Sequence, residues 1–210
     1  MEKEPVEGQI VNSSAESNIG DVMVVGGGIS GIQASLDLAE TGFKVYLVES
    51  SPTIGGKMAQ LDKTFPTNDC SMCIESPKFI ECNRHPNIEI LTYTEVDRVE
   101  GEAGDFKVTL IKKPRYIIED ECRGCTTCTE YCPVKVLDKY NQNLSFNKCT
   151  HIYFSQAVPL VSYLDPESCL IFVPAGMKHC PLILRRVDRP IFHFTIVTGG
   201  QYTREVVSPK

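Results

Sequence analysis

Residues 21–50 read DVMVVGGGISGIQASLDLAETGFKVYLVES, and this stretch decides the fold. Val22–Val25 is a short valine-rich run. Glycines follow, then a segment in which Ile32, Leu36 and Ala39 share one helical face, then a second apolar run at Lys44–Val48. Short β-branched runs bounded by glycine predict strands, and the 3.6-residue recurrence predicts a helix over Ser30–Glu40 that Gly42 closes. Strand, helix and strand make a βαβ unit with parallel strands and a right-handed crossover. Gly26, Gly28 and Gly31 match G-x-G-x-x-G. The first permits a tight turn, the second lets a pyrophosphate approach the backbone, and the third lets helix and strand pack closely. Amides at the helix N-terminus then meet the phosphate charge. Glu49, at the end of the second strand, is placed to bond ribose hydroxyls. A structural glycine turn competes for the motif alone; strand, helix, strand and terminal acid in order favour dinucleotide binding.

After Glu49 the chain runs SSPTIGGKMAQ. An acid, five residues and a glycine pair resemble the flavin adenine dinucleotide (FAD) site of the two-dinucleotide-binding-domain flavoproteins. The resemblance makes Gly55, Gly56 and Lys57 candidate cofactor contacts. Residues 50–87 carry Pro52, Pro66, Pro77 and Pro86 and read as loop, with SPKFIECNR as one short helix. Ile88–Leu91, Glu95–Glu100 and Phe106–Lys112 have strand content, which predicts a small β-meander following the nucleotide-binding unit.

Residues 122–134, CRGCTTCTEYCPV, form a C-x2-C-x2-C-x3-C-P run. Cys122, Cys125 and Cys128 can wrap one four-iron, four-sulfur cluster, whose fourth thiolate in a two-cluster ferredoxin comes from a later Cys-Pro. Cys180-Pro181 is that dipeptide. Cys132 would serve a partner cluster, for which the sequence holds no second C-x2-C-x2-C; one cluster is well supplied and a second is not. Zinc is the competitor for tetrahedral sulfur, although zinc ribbons pair two separated knuckles. Cys149 and Cys169 read as small core residues. Cys70 and Cys73, the C-x2-C of NDCSMC, are a redox dithiol, half a metal site or two ordinary thiols, and spacing does not choose. His85, His151, His179 and His193 lack ligand spacing, and no triad or carboxylate pair supports hydrolysis.

The expected organisation is a loose tail over residues 1–20, a partial nucleotide-binding domain over 21–113, a ferredoxin-like module over 114–180 and a segment of unassigned structure over 181–210. The fold class is α/β, a Rossmann-like FAD-binding βαβ unit with a small β segment and an inserted ferredoxin-like (α+β) iron-sulfur module. A net charge of −6 without a basic patch argues against nucleic acid as a partner. No apolar run reaches membrane-spanning length and no leader peptide is evident, so a cytoplasmic location is expected. Ten cysteines in a reducing compartment then read as ligands or redox groups rather than disulfides, and the sequons at Asn12 and Asn143 as chance matches.

VVGGGISGIQASLDLAETGFKVYLVE, GGKMAQLDKTFPTNDCSMC, the cysteine run and YFSQAVPLV together resemble the A-subunit family of heterodisulfide reductase, over about residues 20–176. The NDCSMC stretch and the inserted cysteine module make the resemblance specific. It implies an iron-sulfur flavoprotein oxidoreductase acting on sulfur groups, passing electrons between FAD and 4Fe-4S clusters in a cytoplasmic complex with other subunits and electron carriers. Carried over by position, Gly26, Gly28, Gly31, Glu49 and Gly56 would hold the flavin, with Cys122, Cys125, Cys128 and Cys132 in the inserted ferredoxin. Where the family pattern has a second cysteine run ending Cys-Pro-Ala-Gly, this chain reads SCLIFVPAGMKHC and then lacks the second half of the flavin fold, so the expectation is a truncated or degenerate copy, or a reading frame that strays after about Leu170. The alternatives are a non-catalytic electron-transfer or assembly module, or an inactive fragment.

Overall fold

Asp21–Val25 (β1), Lys44–Glu49 (β2) and Ile88–Thr92 (β3) pair in parallel in the order β1-β2-β3, with Val24 opposite Leu47 and Leu47 opposite Ile90. In this computed structural model, residues 20–170, 191–197 and 201–207 are described, the last two stretches by their backbone. The expected tail and Cys180 lie outside them. The helix α1, Ile29–Glu40, connects β1 to β2. The helix α2, Ser71–Arg84, connects β2 to β3.

Alternation along β2 builds two cores, because successive strand side chains point to opposite faces. Val45 and Leu47 pack with Ile32, Leu36 and Ala39 of α1 and Phe79 and Cys82 of α2. Tyr46 and Val48 pack the other way, against Val108 and Leu110. Each fully buried aliphatic or aromatic side chain here contributes about 1.5–3 kcal/mol. A strand covered on both faces needs the continuous apolar run that its sequence shows.

Two expectations are corrected. Ile88–Leu91 is not part of a meander but the third parallel strand, since a helix precedes it and provides the crossover. That helix starts at Ser71, five residues before SPKFIECNR, and continues through Pro77. Proline removes one helical hydrogen bond. The face Ser71, Glu75, Phe79 and Cys82 is buried throughout, and tertiary packing holds the helix across the gap.

Thr94–Glu102 (β4) and Asp105–Lys112 (β5) form an antiparallel hairpin, turning at Gly104 with φ +97° and carrying an irregularity between Val96 and Arg98. Past β5 come a short helix α3, Thr127–Tyr131, and the short strands β6, Lys135–Leu137, β7, Phe146–Lys148, β8, Thr150–His151, and β9, Tyr163–Leu164. Ile191–Val197 (β10) pairs antiparallel with β5, and Gln201–Val207 (β11) with β10, so the C-terminal segment extends the hairpin into a four-stranded sheet.

The insertion after β5 is stitched back onto the βαβ unit. Val158 accepts from Ile54 N–H at 3.1 Å and from the Thr53 hydroxyl at 2.9 Å. Phe154 and Ala157 enter the α1–α2 core. Arg115, 3% exposed, donates to the Pro52 carbonyl and, at 2.6 Å, to Thr92 Oγ1. Its Nε lies 3.1 Å from Glu119 Oε1 but out of hydrogen-bond alignment, a Coulombic contact only.

Candidate functional site

The turn after β1 is shaped by what each glycine touches. Gly26 has φ +104°, a conformation costly for other residues. A β-carbon on Gly31 would lie 1.8 Å from the Gly26 carbonyl oxygen. One on Gly28 would meet nothing within 4 Å. Gly28 therefore faces open space that a side chain would fill, the space that a pyrophosphate would need. No side chain caps the first turn of α1 and no acidic residue lies in it, so its amides are left for an anion.

Two chain crossings bring the second glycine pair to this loop. Gly55 N–H donates to Gly27 O at 2.7 Å, and Gly28 and Gly55 form a parallel bridge. A β-carbon on Gly56, where φ is +60°, would sit 2.9 Å from Gly28 Cα. Glu49 is buried at the end of β2 and locks the same loop. Its Oε2 accepts from Gly27 N–H at 2.6 Å, and its Oε1 from Ser51 N–H and the Ser51 hydroxyl, both at 2.8 Å. Charge-assisted bonds of this kind are about twice as strong as neutral ones. With Oε1 committed, an added diol has the remaining lone pair of Oε2 to use.

Beside these groups lies an open cleft of about 210 Å³, lined by Glu49, Ser51, Gly56, Lys57, Tyr153 and Phe154 among others. Lys57 Nζ lies 3.3 Å from Gln60 Oε1 on its rim. A second cleft of about 360 Å³ opens past Gly26 and Val48 toward Thr94 and Val96. Both lie beyond the carboxyl ends of parallel strands, where ligands bind in open α/β sheets. Thus Gly26, Gly28, Gly31, Glu49, Gly56 and Lys57 come together. Sequence reasoning missed Ser51, Tyr153 and Phe154; the aromatic pair arrives from the insertion, about 100 residues away in the chain, and carries no local signal.

On the buried face of α2 Glu75 is fully enclosed, and neither carboxylate oxygen has a hydrogen-bond partner. Burial raises its carboxyl to about 7. The neighbouring Ser71 hydroxyl is likewise buried and unpartnered.

The cysteine run is divided by the fold. Gly124 (φ +65°) packs against Leu160, and Cys128 Sγ lies 3.4 Å from the Ser162 hydroxyl. Cys125 is exposed, and the Thr127 hydroxyl lowers its thiol below the usual value. Cys132 turns away into a buried cluster with Cys149 and Cys169. There burial, then the nearby Cys169 and Cys132, push Cys149 up to about 12. Among the described residues no three Cys, His, Asp or Glu side chains are gathered at metal-ligating range. The soft thiol donors suit an iron-sulfur cluster or zinc; Cys180, the expected fourth ligand, lies outside the described residues. His151 is a buried ring against Tyr163, with Nδ1 2.6 Å from Lys148 O. Cys70 and Cys73 are exposed at the start of α2, and Cys82 is buried in its core face. No helix among the described residues is long and apolar enough to cross a membrane.

Residues 21–71 match the family model described as FAD dependent oxidoreductase. The chain is 51% identical over 148 residues to the A-subunit of the H(2):CoB-CoM heterodisulfide,ferredoxin reductase of Methanothermobacter thermautotrophicus, which covers 70% of this chain and 22% of that protein. It is 50% identical over 184 residues to the A-subunit of the H(2)/formate:CoB-CoM heterodisulfide,ferredoxin reductase of Methanococcus maripaludis, covering 86% of this chain and 28% of that one. The chain thus spans about a quarter of the length of these relatives. Among solved structures, L-proline dehydrogenase from P. horikoshii aligns at 27% identity and TM-score 0.39, covering 45% of this chain and 19% of that one.

Proposed function

We propose that this chain, a relative of the heterodisulfide reductase A-subunits at half identity over most of its length, is an FAD-binding electron-transfer part of an oxidoreductase complex. The observation that carries the reading is the convergence at Gly28. An open cradle faces α1's uncapped amides, the Gly55–Gly56 turn is bonded to the loop, and Glu49 is anchored to Gly27.

In this reading the backbone around Gly28 and the first turn of α1 hold the pyrophosphate, and Glu49 Oε2 orients the ribose. Tyr153 and Phe154 wall the cleft and exclude water from one side. Bound flavin would supply two-electron chemistry and exchange single electrons with a cluster. Cys122, Cys125 and Cys128, with Cys180 as fourth thiolate, would hold such a 4Fe-4S cluster, and Cys132 belongs to a separate thiol cluster. The partners are the other subunits of a heterodisulfide reductase-like complex, since the relatives are named as subunits, and the reading keeps the cytoplasmic location expected from the sequence.

Gly28→Val tests the cofactor reading, because its side chain enters the cradle, where a β-carbon meets no protein atom within 4 Å. Anaerobic reconstitution with FAD followed by desalting should leave flavin absorbance on the wild type. The variant should lose at least about 100-fold in affinity, roughly 2.7 kcal/mol, with melting temperature unchanged. Equal FAD retention by both proteins would refute the assignment.

A further inference from the structure

Cys70 and Cys73 are reactive groups that flavin binding and the cysteine run leave unused. Cys70 is the N-cap of α2, and its Sγ accepts from the backbone N–H of Cys73 at 3.2 Å. Cys73 lies in the first turn of the same helix, so both thiols sit at one helix end. Both side chains are exposed.

Half a metal site would need further ligands. Among the described residues no third Cys, His, Asp or Glu gathers with the pair. Cys82 faces the core of the same helix at 0% exposure, where burial pushes its thiol up to about 11. The pair is also asymmetric. The nearby Cys73 thiol, then its N–H, hold Cys70 below the usual thiol value against the opposing charge of Asp62, and the Cys70 sulfur beside it raises Cys73. One sulfur is favoured as thiolate while its neighbour keeps a proton, the division of labour of a C-x2-C at a helix N-terminus.

We propose that Cys70 and Cys73 form a surface redox dithiol that exchanges with small-molecule disulfides, Cys70 attacking and Cys73 resolving. The Cys70 thiolate attacks one sulfur of the disulfide, whose S–S bond breaks as a mixed disulfide forms. The first thiolate leaves and takes a proton from water. Cys73 then gives up its proton to solvent and attacks Cys70 Sγ. The mixed disulfide breaks, the second thiolate leaves and is protonated, and the Cys70–Cys73 disulfide closes. Two electrons pass from the dithiol to the external disulfide, which becomes two thiols, and no other oxidant is needed. This inference stands on α2 and does not rest on the FAD reading.

The test uses the full chain, reduced and desalted anaerobically, then treated with limiting 4,4′-dithiodipyridine and quenched in acid. Trypsin cutting after Lys63 and Lys78 releases residues 64–78, whose only cysteines are Cys70 and Cys73. Mass spectrometry should find this peptide lighter by two hydrogens, as an internal disulfide without a pyridylthio group. Cys73→Ser should stall with one pyridylthio group on Cys70, and Cys70→Ser should slow modification of Cys73 by about tenfold or more. A peptide bearing two pyridylthio groups, or one that stays reduced while other cysteines react, would overturn the proposal.

Discussion

The βαβ end and the cysteine-bearing insertion are ordered by different means. At residues 21–92, strands of five and six residues are parallel-paired and covered on both faces, and the ligand-facing groups are largely backbone amides. In the insertion, between residues 114 and 170, strands run to two or three residues and the one helix to five. Its order comes from anchors: Arg115 on Pro52 and Thr92, Phe154 in the neighbouring core, and a thiol cluster. A site made of backbone is finished when the fold is finished. A site made of sulfurs would gain much of its geometry from any metal that it came to hold, and metal binding would then be part of folding.

The hardest blow to the first region is Gly31→Ala. Its β-carbon would overlap a backbone oxygen that cannot rotate away, so a loss of about 3 kcal/mol or more is expected in urea melts. A loss under about 1 kcal/mol would mean that the glycine loop is less rigid than its contacts indicate.

Arg115→Ala separates the regions. Removing a buried guanidinium that bonds Pro52 and Thr92 and faces Glu119 should cost about 2–4 kcal/mol. Hydrogen exchange should report the loosening first at residues 114–170, with β1 and β2 still protected. Uniform loosening would show that the two regions unfold as one.

A smaller effect belongs to Glu75. Its carboxyl titrates near 7 when folded and near the ordinary 4.5 when unfolded, so the unfolded state releases its proton first as pH rises. This group's contribution is most favourable below about pH 4.5, worsens as pH climbs toward 7 and is then flat. The separation of the two values corresponds to a drop of about 3 kcal/mol. Glu75→Gln should remove that slope from the stability profile, and an unchanged slope would place the titration elsewhere.

Much of the first region is legible in sequence because its logic is local. Periodicity announces β1, α1 and β2, the glycine spacing announces the turn, and the acid at the strand end announces Glu49. The helix α2 reads too short in sequence because Pro77 looks like a stop and a cysteine is an unusual N-cap. Ile88–Leu91 looks like part of a meander because a short apolar run does not say which neighbour it pairs with. The wall formed by Tyr153 and Phe154 gives no local sign of its place: YFSQAVPLV carries a resemblance but no period that puts it on the cleft.

The sequence by itself determined the βαβ unit and its glycine turn, because 3.6- and 2-residue periods and backbone freedom are properties of neighbouring residues. Only the tertiary structure decided that Gly55 bridges Gly28, that Phe154 lines the cleft, that Cys132 leaves its run for Cys149 and Cys169, and that Cys70 and Cys73 stand without a third ligand among the described residues. Those outcomes depend on which surfaces a covered sheet and its insertion bury against each other. That choice is made by the packing of the whole chain, and no window of sequence contains it.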